Sequence, residues 1–159
     1  MSLRIDYAHQ SPELFRKYLE MSMALKKSVI DEKLQALVEI RASQLNGCAF
    51  CLDMHVKQAK IAGERELRLY HVSIWRESNL FTPKERAALE WTEAVTKLDA
   101  HGVSDAIFES ARKELSEKEL TDLTFVLMVI NGWNRASIAF RAVPGSQDEV
   151  YGLAAAGLS

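Results

Sequence analysis

Helix punctuation constrains this chain more than any other feature of its sequence. Thr82-Pro83-Lys84-Glu85 joins a threonine N-cap, a proline at the first helical position and the glutamate of a capping box, and Ser116-Glu117-Lys118-Glu119 forms a second box. Ser11-Pro12-Glu13 and Asp31 mark two further starts, while Gly47, Gly63, the His101-Gly102 turn and Pro144-Gly145 mark stops. No segment alternates apolar and polar residues as a half-buried strand does. The chain therefore reads as all-α, with about seven helices. They run from Ser11 to about Val29, Asp31 to Gly47, Cys48 to about Ala62, Glu64 to about Ile74 and Thr82 to about Leu98, then a short one from Ser104 and a long one from Ser116 to about Val143. Trp75 to Phe81 has no period and reads as a loop.

Helical spacing assigns the faces. The first helix carries Leu14, Phe15, Tyr18, Leu19, Met23 and Leu25, and the second Leu34, Leu37, Val38, Arg41 and Leu45. On the third, Leu52, Val56 and Ala59 are expected to pack, with Asp53, Lys57 and Lys60 in solvent. The last helix is apolar on several sides through Leu123, Phe125, Val126, Leu127, Met128, Val129 and Ile130, which suits the middle of a domain or a subunit interface, so a homo-oligomer is expected. Asn131, Asn134 and Arg135 interrupt that apolar surface and call for polar partners, most simply a helix-to-helix hydrogen-bond network. Trp91 is expected in the core; Trp133 fits either packing or a pocket.

The 159 residues suffice for one domain with a proper core. Twenty basic and twenty-two acidic side chains, evenly spread for a formal charge of -2, argue against a nucleic-acid or anionic-membrane surface. Residues 1 to 10 lack the apolar centre of a signal peptide, and no later run approaches the roughly 20 apolar residues of a membrane span, so a cytoplasmic protein is expected. In a reducing compartment a close cysteine pair is more often catalytic or metal-binding than structural.

Both cysteines lie in Asn46-Gly47-Cys48-Ala49-Phe50-Cys51-Leu52-Asp53-Met54-His55. On a helix beginning at Cys48, the residues Cys48, Cys51 and His55 fall on one stripe. Two thiols and a base on one face suit thiol redox chemistry, because a helix N-terminus and a nearby imidazole both favour the thiolate. The same three side chains are possible zinc ligands, but a structural zinc site wants four, and His71 or water would have to complete it, so no metal is expected. His9, His71 and His101 have no identifiable partner.

These residues carry a family resemblance. The stretch from Arg41 to His55 resembles the core of the AhpD-like alkylhydroperoxidases within the carboxymuconolactone decarboxylase family. So do Trp75-Arg76-Glu77, the run from Glu85 to Ala94, and Asn131-Gly132-Trp133-Asn134-Arg135, which together cover about residues 30 to 145. The resemblance implies a trimeric or hexameric helical protein that reduces hydroperoxides without a cofactor. It implies that Cys51 is oxidised by peroxide, Cys48 resolves it and exchanges with a dithiol such as dihydrolipoamide or a thioredoxin-like protein, and His55 relays protons. Two positions depart from the family pattern. The relay glutamate twelve residues before the first cysteine is Ala36 here, leaving Glu39 or Glu32 to stand in, and Phe50 replaces a histidine before the second cysteine. Rival functions are a lactone decarboxylase, disfavoured by the cysteine pair, and a non-enzymatic redox-sensing module. Turnover with a dithiol donor separates an enzyme from a sensor that reacts once.

Overall fold

A computed structural model describes residues 2–158. Its α-helices are α1 (Tyr7–Gln10), α2 (Pro12–Leu25), α3 (Glu32–Asn46), α4 (Ala49–Ile61), α5 (Glu66–His71), α6 (Pro83–Thr96), α7 (Asp105–Glu114), α8 (Glu117–Phe140) and α9 (Asp148–Tyr151). Two 3-10 helices, Val72–Glu77 and Leu153–Ala156, complete the order, and among the described residues there is no strand. The seven expected helices correspond to α2 through α8. Both capping boxes close as the sequence requires, with Thr82 and Ser116 each accepting from the N–H three residues on and receiving the glutamate's return bond.

α3 organises the interior because it is apolar on two sides. Leu34, Val38 and Ala42 join Trp91, Leu123, Leu127 and Ile130 in one core cluster, which also holds both cysteines. Leu37 and Ile40 face the other way, into a second cluster with Leu69, Val72, Trp75 and Leu89. Complete burial of a leucine in such a layer contributes about 1.5–3 kcal/mol. α3 is therefore held on both flanks, and the end from which the cysteine loop departs is fixed.

α8 lies against α2, α3, α4, α6 and α7. By length and composition it is apolar enough to cross a membrane, contrary to the expectation that no run approaches a span. Asn131 and Asn134 explain its other use. Asn46 Nδ2 donates to Asn131 Oδ1 (2.7 Å) and Asn134 Oδ1 (2.9 Å), and Asn134 Nδ2 donates to Ser43 Oγ (3.1 Å), so the expected helix-to-helix network locks α8 onto α3. Trp91 is in the core, and Trp133 packs against α2, donating to Ser22 Oγ at 2.9 Å.

Several expectations on boundaries and faces are corrected. α2 ends at Leu25 and α8 at Phe140, where Arg141 takes the left-handed conformation (φ 56°). Part of the expected loop after Trp75 is 3-10 helix. Leu14 is 71% exposed and Met23 54%, because α2 buries no residue fully within one chain. Lys57, expected in solvent, is only 5% exposed. It is buried between Asp53 (3.0 Å) and Asp148 (2.7 Å), an acid of α9 that the pattern of α4 alone does not announce.

Candidate functional site

Gly47 creates the site by ending α3. Its φ of 71° is one that residues with a Cβ rarely adopt, and it lets the N–H of Cys48 return to Ser43 O at 3.0 Å. The chain then turns directly into α4. Cys48 is accordingly the N-cap of α4, not its first helical residue as expected, with φ -86° and ψ 93°. The cap position still turns its side chain toward the third helical residue: Cys48 Sγ accepts the N–H of Cys51 at 3.3 Å.

Both cysteines are reduced and almost surfaceless, Cys48 at 2% and Cys51 at 1% exposure. Their sulfurs face each other. The Cys51 thiol donates to Cys48, which also accepts the backbone N–H of Cys51, and this outweighs burial to bring the Cys48 thiol down to about 7. Cys51 moves the opposite way, pushed up by donating its proton to Cys48 and by burial. Of the pair, Cys48 is thus the sulfur that its contacts draw toward the thiolate, and Cys51 the one that keeps its proton.

His55 lies one turn beyond Cys51, and its Nδ1 is 3.3 Å from Glu39 Oε2. Glu39 is itself steadied by Gln35 Nε2 at 3.1 Å. Of the two acids that could replace the one absent at Ala36, Glu39 therefore reaches the histidine, whereas Glu32 is exposed in the first turn of α3. Cys48 and Cys51 thus sit at the start of α4, and Glu39 and His55 meet farther along the same two helices. His71 is elsewhere, with its Nδ1 3.0 Å from Ser78 Oγ. Among the described residues no three His, Cys, Asp or Glu side chains are grouped to hold a metal ion.

Two residues of α8 complete the wall opposite the sulfurs. Asn134 and Ser137, one helical turn apart, both face Cys48 and Cys51 and favour their ionised forms. The sequence marked Asn134 as a polar residue in an apolar helix but not Ser137, although its spacing from Asn134 was the available signal. Tyr7 was missed as well. The N-terminal segment crosses the end of α8, where Arg4 N–H donates to Phe140 O at 2.8 Å and the Tyr7 and Phe140 rings stack at 5.3 Å. Tyr7 also lines a groove of about 510 Å³ with Phe15, Tyr18, Trp133 and Ala136.

Comparison with known proteins identifies the family and the fold. Residues 12–94 match the model of the carboxymuconolactone decarboxylase family. The uncharacterized protein YdfG of Bacillus subtilis (strain 168) is 39% identical over 139 residues, covering 87% of this chain and 95% of YdfG. Among solved structures, a protein of unknown function from Agrobacterium tumefaciens, a candidate antioxidant-defence protein AhpD, is 39% identical. It matches with a TM-score of 0.87 over 90% of this chain and 98% of its own. The debrominase Bmp8 shares the fold, with a TM-score of 0.79 over 89% of this chain and 76% of its own, at 17% identity.

Proposed function

Because the chain belongs to the carboxymuconolactone decarboxylase family as an AhpD-like member, we propose that it is a thiol-dependent peroxidase reducing organic hydroperoxides through Cys51 and Cys48. The observation that carries this reading is the pair of free cysteines itself, with the Cys51 N–H donating to Cys48 Sγ at 3.3 Å and the Cys48 thiol lowered from its ordinary value. A structural cysteine buried in apolar surroundings has its thiol pKa raised, not lowered.

The steps follow from the proton kept on Cys51. It crosses the contact between the sulfurs to Cys48, leaving the thiolate on Cys51, one helical turn before His55. Cys51 attacks the terminal oxygen of the hydroperoxide; the S–O bond forms as the O–O bond breaks, the sulfur is oxidised and the peroxide is reduced. The departing alkoxide takes a proton, for which His55 is the carrier, and leaves as the alcohol. Cys48 then attacks the sulfenic sulfur of Cys51, giving the disulfide and water. An external dithiol, dihydrolipoamide or a thioredoxin-like protein, restores the thiols by exchange through Cys48. A reducing cytoplasm suits such a cycle. The apolar surface left on α2 and α8, at Leu14, Met23, Phe125 and Met128, supports assembly into a homo-oligomer, a trimer or hexamer in this reading.

The test is steady-state consumption of cumene hydroperoxide with dihydrolipoamide as donor. Multiple turnovers are expected for the wild type, and loss of turnover with a trapped sulfenic acid on Cys51 in Cys48→Ser. Consumption of a single equivalent by the wild type in the presence of excess donor would overturn the enzyme reading.

A further inference from the structure

Three hydroxyls of α6 and α8, those of Thr92 and Ser137 buried and that of Thr124 partly so, invite comparison. Thr92 Oγ1 donates to Ala88 O and Thr124 Oγ1 to Leu120 O, each at 2.7 Å, so both satisfy themselves on their own helix. Ser137 does not. Its residue is 2% exposed and its Oγ has no hydrogen-bond partner in the protein. A buried hydroxyl without a partner costs about 1–3 kcal/mol, so a native chain that keeps one points to a group that arrives later. The neighbours of this hydroxyl indicate which group. The thiols of Cys48 and Cys51 and the Tyr7 hydroxyl all lie close enough for it to favour their ionised forms. Asn134, one turn earlier, gives one N–H to Ser43 and accepts one from Asn46, which fixes its amide in the α3–α8 lock, whereas the Ser137 hydroxyl is held by no such pair of bonds.

We propose that Ser137 is a catalytic hydrogen-bond donor of the thiol site, its Oγ–H binding the peroxide oxygen that the sulfur attacks and aligning the O–O bond with the attacking sulfur. The proposal rests on the peroxidase reading above and adds to it the group that recognises the oxidant's head. Ser137 gives a hydrogen bond and keeps its proton. As S–O forms and O–O breaks, the electron pair leaves on the alkoxide, which is protonated through His55, while the transferred oxygen remains on sulfur as the sulfenic acid, still bonded to Ser137. Attack by the second sulfur releases that oxygen as water. The organic part of the hydroperoxide then lies toward Tyr7, which also lines the groove with Phe15, Tyr18 and Trp133. An apolar or aromatic organic hydroperoxide fits that lining better than hydrogen peroxide does.

The experiment compares two electrophiles on the full-length wild type, Ser137→Ala and Ser137→Thr. Single-turnover oxidation by cumene hydroperoxide and alkylation by iodoacetamide are each followed to the plateau above the pair's first ionisation, where one thiolate is fully formed and a change in that first pKa has no effect. Iodoacetamide carries no oxygen to be positioned at the sulfur. In Ser137→Ala the peroxide plateau rate is expected to fall about 10-fold, equivalent to about 1.4 kcal/mol. The alkylation plateau should stay within about twofold of wild type, and Ser137→Thr, which keeps a hydroxyl, should recover most of the peroxide rate. Removing an unpartnered hydroxyl should leave Tm unchanged or raised, whereas a structural role would lower it. Equal slowing of both reactions, no slowing of either, or a lowered Tm in Ser137→Ala overturns the role given to Ser137 and leaves the peroxidase reading intact. A wild type that alkylates but is inert to peroxide overturns both.

Discussion

Glu39 Oε2 stands 3.3 Å from His55 Nδ1, so an acid of α3 and a base of α4 meet across the helix pair that carries the thiols. The position expected to hold the relay acid is Ala36, and moving three residues along the same helix restores a carboxylate close to the same face. A carboxylate at Nδ1 fixes the imidazole's tautomer and orientation, leaving Nε2 for proton transfer.

Glu39→Gln keeps the shape of that contact and removes its charge. With His55 as proton carrier, kcat/KM for an organic hydroperoxide should fall about 10- to 100-fold, somewhat below the roughly 10²–10⁴-fold span of direct acid–base participation. Measured pH profiles of kcat/KM for the wild type, Glu39→Gln and His55→Gln check this. A Glu39→Gln profile that overlays the wild type would remove the acid from the relay.

The thiolate's position makes a separate prediction. Cys48 alkylation, followed by peptide mapping, should rise with pH through a midpoint at about 7, since deprotonation produces the nucleophile and the pair holds that thiol below its ordinary value of 9.0. Cys51→Ala deletes the thiol donor but keeps the backbone N–H, and burial then weighs more, so the midpoint should climb clearly above about 7. A midpoint unmoved by that substitution would mean that the facing thiol does not hold the charge.

Asn134 is a fully buried amide bonded to both Ser43 and Asn46. Asn134→Ala strands those partners and should destabilise the fold by about 1–3 kcal/mol. In a chain of this size each kcal/mol lowers Tm by about 2–4 °C. Calorimetry of Asn134→Ala beside Asn131→Ala, whose residue is only partly buried, checks the order of the two effects. Equal and negligible changes would show that α8 does not depend on the network.

Acid stability can be traced to the second capping box. Glu119 accepts the Ser116 N–H at 2.8 Å and pairs with Lys84, and these contacts, the lysine's first, hold its carboxyl down to about 2 from an ordinary 4.5. A carboxyl lowered on folding stabilises the native state above its unfolded pKa, and that contribution is lost as pH falls through its folded value. Denaturant midpoints of the wild type should therefore drop faster between pH 4.5 and pH 2 than those of Glu119→Gln. Parallel curves would refute the assignment.

The parts of this architecture that depend on neighbouring residues were readable in advance. Capping boxes at Thr82 and Ser116 need only four consecutive side chains, and Gly47 needs only a backbone that L-residues avoid. The dithiol was likewise a matter of spacing. What resisted reading depends on elements far apart in sequence. Lys57 looks solvated until Asp148 arrives from α9, and Tyr7 looks terminal until Phe140 stacks on it. Ser137 resisted longest: a small hydroxyl in an apolar helix shows no sign of its use until α4 delivers two sulfurs to it. Gly132 behaves the same way, since only the packed helices reveal that a Cβ there would lie 1.9 Å from the Tyr18 hydroxyl.

Cysteines with 1–2% of their surface open select by girth before they select by chemistry. Of the two donors proposed for the cycle, a slender thiol at the end of a flexible arm, as dihydrolipoamide carries, should therefore renew the pair faster than the cysteine of a globular partner.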